Sequence, residues 1–422
     1  MNSTNDKLKV GFFGYWYDLW DNEIEEDFNL ESAKSRFTKT KDGVTASADV
    51  KFIANETEHD IFMRKYGGNI GNNCFRYGLR HLFDNDVIYI DNGNRNISGG
   101  NGLSKFKPDD IDVLVIPAAN WVGGQWNGTH VEEVINYFNK PVLVVGLGAQ
   151  SFDGTLVEEP VKGATKSFLD TIWSKQSHVL VRGKNTYNII KNMGYDTNKM
   201  TVFGCPSMFL NPDKLLAEKV SKKINLLKTQ KKKNIACYPS YFSDRELSDK
   251  HQLSSLVETE DIIIAQSSFL IPLVGKYKNS GKLDFSEKDF KFKEFINDKN
   301  IKKIIYIEDI YEQAKFLNEN IDFTYGTRIH GSVLTLMSEV PTLLVYWDDR
   351  TRELGEELCI PSIPQSRFKE ILEQKKIDNL IDFVKFDVDA FNTNRKNKAT
   401  ILNNKFKEFG ISPSKKLLSF LG

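Results

Sequence analysis

The sequence predicts an α/β protein made of two facing domains with parallel sheets, and three observations predict it. Short β-branched and aromatic runs alternate with helix-like patterns along the chain. The run NKPVLVVGLGAQSF, starting at Asn139, is apolar on both faces, as a central parallel strand must be. The alternation occurs twice, and 422 residues exceed one comfortable core but fit two domains.

In the first half, strands are expected at KVGFFGYW from Lys9, VIYID from Val87, VLVIPAA from Val113, PVLVVGLGA from Pro141, HVLVRG from His178 and MTVFG from Met200. A polar insertion from Asp18 to Lys65 carries no pattern that assigns it. After GCPSMFLNP comes a helix-like segment, then the basic stretch KTQKKKN ending at Asn234. The second half supplies strands at NIACYPS, DIIIAQSS, IKKIIYIE, DFTYG and PTLLVYW. The division expected is a first domain over 1–212, a linker region over 213–233, a second domain over 234–370 and C-terminal helices over 371–422. Two such domains leave a cleft between the carboxyl ends of their strands.

The last 28 residues carry seven basic side chains and one acid, Glu408. Ile401, Leu402, Lys405, Phe406 and Phe409 fall at helical spacing, which suits a helix packing back on the first domain. The alternative is a basic membrane-surface helix touching the inner face of a membrane. Ser412 and Pro413 read as a cap and first-turn proline of one more helix.

Composition removes several classes of function. Lys+Arg and Asp+Glu both total 57, so no global field points toward nucleic acid. Cys74, Cys205, Cys237 and Cys359 are far apart, without the spacing of a metal finger, and read as free thiols of a reducing compartment. With no signal-like segment and no apolar stretch near the roughly 20 residues of a membrane span, the expected location is cytoplasmic. The chain has no GxSxG, HExxH or P-loop motif, and no acid cluster at metal-ligand spacing.

The chemistry-bearing residues gather at strand ends. In YGTRIHGSVLTLMSEVP, Arg328 and His330 leave a strand-to-helix turn beside a helix N-terminus, a setting that suits an anion. The plain alternative is an arginine paired with a carboxylate and a histidine closing a loop. YWDDRTREL brings Arg350 and Arg352 to the end of the next strand, where Asp348 and Asp349 could neutralise them. VLVRGKNTY adds Arg182 from the first half. Guanidinium forks converging from two domains fit a compact ligand bearing carboxylate and phosphate groups.

In YGGNIGNNCFRYGLRHLF a Gly-rich turn precedes a helix, and Asn69, Asn72 and Asn73 offer neutral hydrogen bonds to phosphate or sugar hydroxyls. Asn120, Trp121, Gln125 and Trp126 mix amides and aromatics that could flank a sugar ring, or simply pack a strand end. Gln150, at the end of the central strand, joins the candidate acceptor side.

These blocks, with GCPSMFL and GGNIGNN, resemble the polysaccharide pyruvyl transferase family from about Gly67 to Pro361. The resemblance implies a two-Rossmann-domain fold like that of B-type (GT-B-like) glycosyltransferases. It also implies transfer of a pyruvyl group from phosphoenolpyruvate to hydroxyls of a sugar in a polysaccharide or its precursor, usually leaving a cyclic ketal. Arg182, Arg328 and His330 match the family's donor-site arginines and histidine; Arg350 stands where many members have lysine, and Arg352 matches a frequent arginine. The chain departs from the pattern at Asn72, where an acid is common, and at Ala118 to Asn120, where a glycine triplet is usual.

On this reading phosphoenolpyruvate is the donor substrate and the scheme calls for no cofactor or metal. The acceptor is a glycan, or a nucleotide-linked or lipid-linked sugar. His330 is the expected general acid, because an imidazole can hold and release a proton near neutrality. Two other classes stay open: a nucleotide-sugar glycosyltransferase of the same architecture, and a silent anion- or glycan-binding relative.

Overall fold

The structure, a computed structural model, describes residues 8–14, 37–40, 43–46, 69–90, 103–104, 106–123, 128–149, 163–231, 233–239, 262–264, 266, 303–305, 307, 310–374 and 377–422. In chain order the first half holds β1 (Val10–Phe13), β2 (Phe37–Thr40), β3 (Gly43–Ala46), α1 (Asn72–Arg80), β4 (Val87–Ile90), β5 (Val113–Pro117), β6 (Asn120–Val122), α2 (Thr129–Phe138), β7 (Val142–Ala149), α3 (Ala164–Trp173), β8 (Ser177–Val181), α4 (Lys184–Asn192), β9 (Met200–Val202) and α5 (Leu216–Leu227). The second half holds β10 (Ile235–Tyr238), β11 (Ile262–Ile264), β12 (Lys303–Ile305), α6 (Ile310–Asn320), β13 (Phe323–Gly326), α7 (Ile329–Met337), β14 (Thr342–Tyr346), α8 (Asp349–Glu357), β15 (Ser362–Pro364) and α9 (Gln365–Glu373). The long α10 (Val388–Glu408) and short α11 (Lys415–Ser419) close the chain.

Both large sheets are parallel throughout. The first runs β4-β1-β5-β7-β8-β9, with β6 joined to the end of β7. The second runs β12-β11-β10-β13-β14-β15, which in order of appearance is the 3-2-1-4-5-6 winding of a Rossmann sheet. Its strand order reverses between β10 and β13, where Tyr238 stands opposite Gly326. A crevice at the strand ends is expected there.

The central position of β7 explains its composition: seven of its eight residues, Val142 to Gly148, are buried, because helices cover both faces of a parallel sheet. One apolar cluster lies on the α2–α3–α4 side of the first sheet. The other runs from the opposite face of that sheet through α1 and Pro206–Phe209 into the second sheet and the C-terminal helices. The two domains therefore share apolar packing at their seam.

The C-terminal helices pack back on the first domain. Phe406 meets Phe83 edge-on at 5.8 Å, and Phe420 meets Phe209 at 5.0 Å. Asp84 N donates to Ser412 O and Ser414 N to Leu82 O. Leu402 and Phe406 are fully buried, so this packing occupies the apolar stripe that the membrane-surface alternative needs. The cap of the last helix also differs from expectation. Ser414, not Ser412, accepts from Leu417 N, while Pro413 bridges to Phe83. Within the Asp18–Lys65 insertion the described part is the antiparallel pair β2–β3.

Candidate active site at the seam of the two sheets

Two glycines shape the second-domain side. Gly326 ends β13 at φ +152°, and a β-carbon there would run into the Tyr238 carbonyl oxygen. In the first turn of α7, a β-carbon on Gly331 would lie 2.6 Å from the Tyr238 ring. Without these side chains α7 settles onto β10, and Thr327 N donates to Tyr238 O at 3.0 Å. Arg328 takes the N-cap position in extended conformation, and its own side chain makes no cap bond. His330 is carried inward to 5 % exposure. One strand further, Asp348 caps α8 by accepting from Thr351 N at 2.7 Å and pairs with Arg350 at 3.1 Å.

The first-domain side is built around Arg182, at the end of β8 and 4 % exposed. Its Nε donates to Gly146 O at 2.8 Å, Nη1 to Asn120 Oδ1 at 2.7 Å and Nη2 to Ala118 O at 3.4 Å. The guanidinium carbon stands 5.7 Å from the centre of the Phe75 ring. These acceptors are neutral, so the charge is oriented without being cancelled. A β-carbon on Gly148 would come within 2.8 Å of Arg182 Cδ, which explains the glycine at that point of the central strand.

His330 closes the gap between the two sides. Its ring lies 5.4 Å from Phe75, and its Nε2 faces Cys205 Sγ at 3.7 Å. Burial first, then the charges of Arg182, Arg350 and Arg328, hold its pKa well below the ordinary 6.5. The imidazole is therefore neutral at pH 7 in the unliganded protein. Burial lowers Arg182 and Arg328 to about 10, which leaves both cationic at neutrality. Burial also pushes the Cys205 thiol up, so it faces His330 as a thiol. The result is a neutral base under the charges of Arg182, Arg328 and Arg350, the last already paired with Asp348, a setting that favours an anion.

The structure brings Arg182, Arg328, His330 and Arg350 together and adds Asn120 as the partner that orients Arg182. Asn69 reaches the same place by another route. A β-carbon on Gly71 would lie 3.0 Å from Asn69 Oδ1 and 3.1 Å from His330 Cβ. The turn before α1 is nevertheless closed on itself. Gly71 N donates to Asn69 Oδ1, Asn72 N to Asn69 O, Asn73 N to Ile70 O and Cys74 N to Gly71 O. Asn72 is partly buried and Asn73 fully so.

Arg352 is placed elsewhere, a correction to the expectation that it shares a face with Arg350. Helix α8 begins at Asp349, and residues two apart on a helix point to different sides. Arg352 pairs with Asp349 at 2.6 Å and lines a cavity with Lys184, Asn185 and Glu356. Trp121 packs edge-on against Phe168 at 5.9 Å, on the side of the sheet that carries α3. Gln125, Trp126 and Gln150 lie outside the described residues. Among the described residues no three His, Cys, Asp or Glu side chains gather as metal ligands, and no helix is long and apolar enough to cross a membrane.

Sequence reasoning missed three residues here. Cys205 lies in the quoted GCPSMFL block, but nothing local shows that it meets His330. Glu353 accepts from Asn185 N, across 168 residues of sequence. Gln266 follows β11 and accepts from Ile70 N at 3.0 Å through its backbone carbonyl.

Fold and site together define an α/β protein that can hold a compact anion at the meeting of two parallel sheets. The chain belongs to the polysaccharide pyruvyl transferase family, whose model matches residues 50–349. No curated protein matches it. Among solved structures it is similar to Anabaena HepE in complex with UDP and glucose, at 10 % identity and TM-score 0.43 over 94 % of this chain and 100 % of that one. A variant of the wall teichoic acid polymerase TagF follows at 12 % identity and TM-score 0.41, over 96 % and 89 % of the two chains. The Methanocaldococcus jannaschii UDP-GlcNAc 2-epimerase, in complex with UDP-GlcNAc and UDP, shares 13 % identity at TM-score 0.40 over 73 % and 90 %.

Proposed function

We propose that the protein transfers a pyruvyl group from phosphoenolpyruvate to two hydroxyls of a sugar in a polysaccharide or its precursor, releasing phosphate and leaving a pyruvate ketal. Family membership supports a transferase acting on polysaccharide. The observation that carries the finer reading is His330, neutral and buried, under the charges of Arg182 from one domain and Arg328 and Arg350 from the other.

Phosphoenolpyruvate brings a carboxylate and a phosphate to that field. Its negative charge offsets the arginines, so the pKa of His330 rises when donor binds and the imidazole takes up a proton. The protonated ring delivers that proton to the terminal methylene carbon, and positive charge develops at the neighbouring carbon. One acceptor hydroxyl adds there and gives up its proton. Phosphate then leaves with the electron pair of its C–O bond, stabilised by the arginines. The second hydroxyl adds to the resulting cation, loses its proton and closes the ketal.

The test is phosphate release from phosphoenolpyruvate with a panel of sugar acceptors, with mass spectrometry of the products. A gain of pyruvate less water, lost by about 10²–10⁴-fold in His330→Ala and also lost in Arg328→Ala, is the expected result. Full turnover in His330→Ala removes the histidine from the mechanism. Stabilisation by a nucleotide sugar but not by phosphoenolpyruvate points to the glycosyltransferase instead.

A further inference from the structure

We propose that the Gln266 side chain, beside the Asn69–Gly71 turn, binds two neighbouring hydroxyls of the acceptor sugar, so that the second domain contributes to acceptor recognition as well as to the donor site. The inference rests on the proposed function for the identity of the acceptor.

The motivating observation is an unsatisfied amide. Gln266 is 1 % exposed, and neither Oε1 nor Nε2 has a hydrogen-bond partner. Burying both ends of a carboxamide without partners costs stability, and native chains seldom keep such a group unless something completes it. Its position says where completion would matter. The point 3.1 Å from His330 Cβ and 3.0 Å from Asn69 Oδ1, where Gly71 lacks a side chain, is also 3.3 Å from Gln266 Oε1. The glycine thus lets the amide, the turn and the catalytic histidine converge.

The chemistry of the group selects its partner. A carboxamide presents an acceptor oxygen and a donor nitrogen side by side, and two adjacent hydroxyls satisfy both, one donating to Oε1 and the other accepting from Nε2. A carboxylate or phosphate would match only the NH₂ and set its charge against Oε1. The turn before α1 adds no anion cradle, because its N–H groups are already engaged within the turn. The anion belongs with the arginines, and the neutral amide fits the neutral substrate. Ketal formation itself requires two hydroxyls of one sugar to be presented together. Gln266 is 1 % exposed and the Ile70 N to Gln266 O bond ties it to the first domain, so the seam must open for the acceptor to enter.

Gln266→Met keeps the shape and removes the amide. With phosphoenolpyruvate as donor, the acceptor KM should rise by about tenfold or more, as for a buried polar group that has lost its hydroxyl partner, while the donor KM stays within about twofold. The melting temperature should rise, because an unsatisfied group has gone. Binding of methyl β-galactopyranoside and methyl α-mannopyranoside without donor, read by saturation-transfer NMR, supplies a readout independent of the transfer. Glycoside binding to wild type that is lost in Gln266→Met supports the subsite even if phosphoenolpyruvate proves not to be the donor. Normal turnover with an unchanged acceptor KM in Gln266→Met overturns the subsite and leaves the proposed function standing. Failure of wild type to bind either glycoside overturns it as well.

Discussion

In the first sheet, β8 passes into α4 through Arg182 and Gly183; in the second, β13 passes into α7 through Gly326, Thr327 and Arg328. Both units put an arginine at a strand end and a helix N-terminus just beyond it. Their surroundings differ. The first turn of α4 is filled by a carboxyl group from the other domain, since Asn185 N donates to Glu353, and Arg182 is held by two backbone carbonyls and Asn120. Arg328, at the N-cap of α7, makes no side-chain cap bond of its own. The first unit fixes one cation in place, while the second keeps a helix N-terminus beside the site. Strand, arginine and helix N-terminus are the same local pattern in both, and a residue far away in sequence fills the first.

The glycines of the two turns give the largest test of this contrast. Gly326 sits at φ +152°, and its added methyl would strike the Tyr238 backbone. Gly326→Ala should therefore lose about 3 kcal/mol or more of stability. Gly183 is in ordinary extended conformation at φ −170°, and its methyl would meet the movable Glu353 side chain. Gly183→Ala should lose only the cap, about 1 kcal/mol. Denaturant midpoints measure both. Equal losses would mean that the two turns are alike and that the Glu353 cap does not distinguish them.

This contrast also marks how far the sequence could be read. The long apolar run of β7 and the β-branched or aromatic runs of β8, β13 and β14 announced themselves, because burial on both faces leaves few choices of residue. The strands β6 and β15 did not, since neither carries the apolar run that marked the equally short β11 and β12. Arg182, Arg328 and His330 were legible as strand-end residues. Arg352 was misread because the start of α8 at Asp349 turns it away from Arg350. Gln266 carried no local signal at all, since what makes it unusual is the absence of partners among residues near positions 70 and 330.

Acidification should act next, through three buried histidines: His178 on β8 of the first unit, His81 after α1, and His330 in the second unit. Burial lowers His178 to about 4 and His81 to about 3, and His330 lies well below 6.5. Below pH 6.5 the unfolded chain takes up protons that the folded histidines refuse, so stability falls as pH drops from 6.5 toward 4. For His178, 6 % exposed, the loss by pH 5 is about 2 kcal/mol. Phosphoenolpyruvate should reduce the His330 share, because an anion on the arginines raises that pKa in the folded state. Melting temperatures from pH 7 to 4.5, with and without donor, read both effects. A donor-independent acid limb would mean that no anion reaches His330.

The smallest effect belongs to the plug in the first unit, and it has the opposite sign. Burial, aided by Glu357 and Glu356, raises Glu353 to about 7, although Asn185 N–H and Arg352 pull it down. Between pH 4.5 and 7 the folded carboxyl keeps a proton that the unfolded one has lost, so this group's contribution is full below 4.5 and disappears as pH rises through 7. Glu353→Gln retains a carbonyl oxygen for Asn185 N–H and removes the titration. At pH 5 the variant should match wild type, and by pH 8 it should be more stable by about 1 kcal/mol, allowing for the partial exposure of the side chain. A difference that does not grow with pH would place the Glu353 carboxylate, rather than its acid form, at the start of α4. The first unit would then be closed by charge, and the two helix N-termini would differ only in whether their anion is part of the chain.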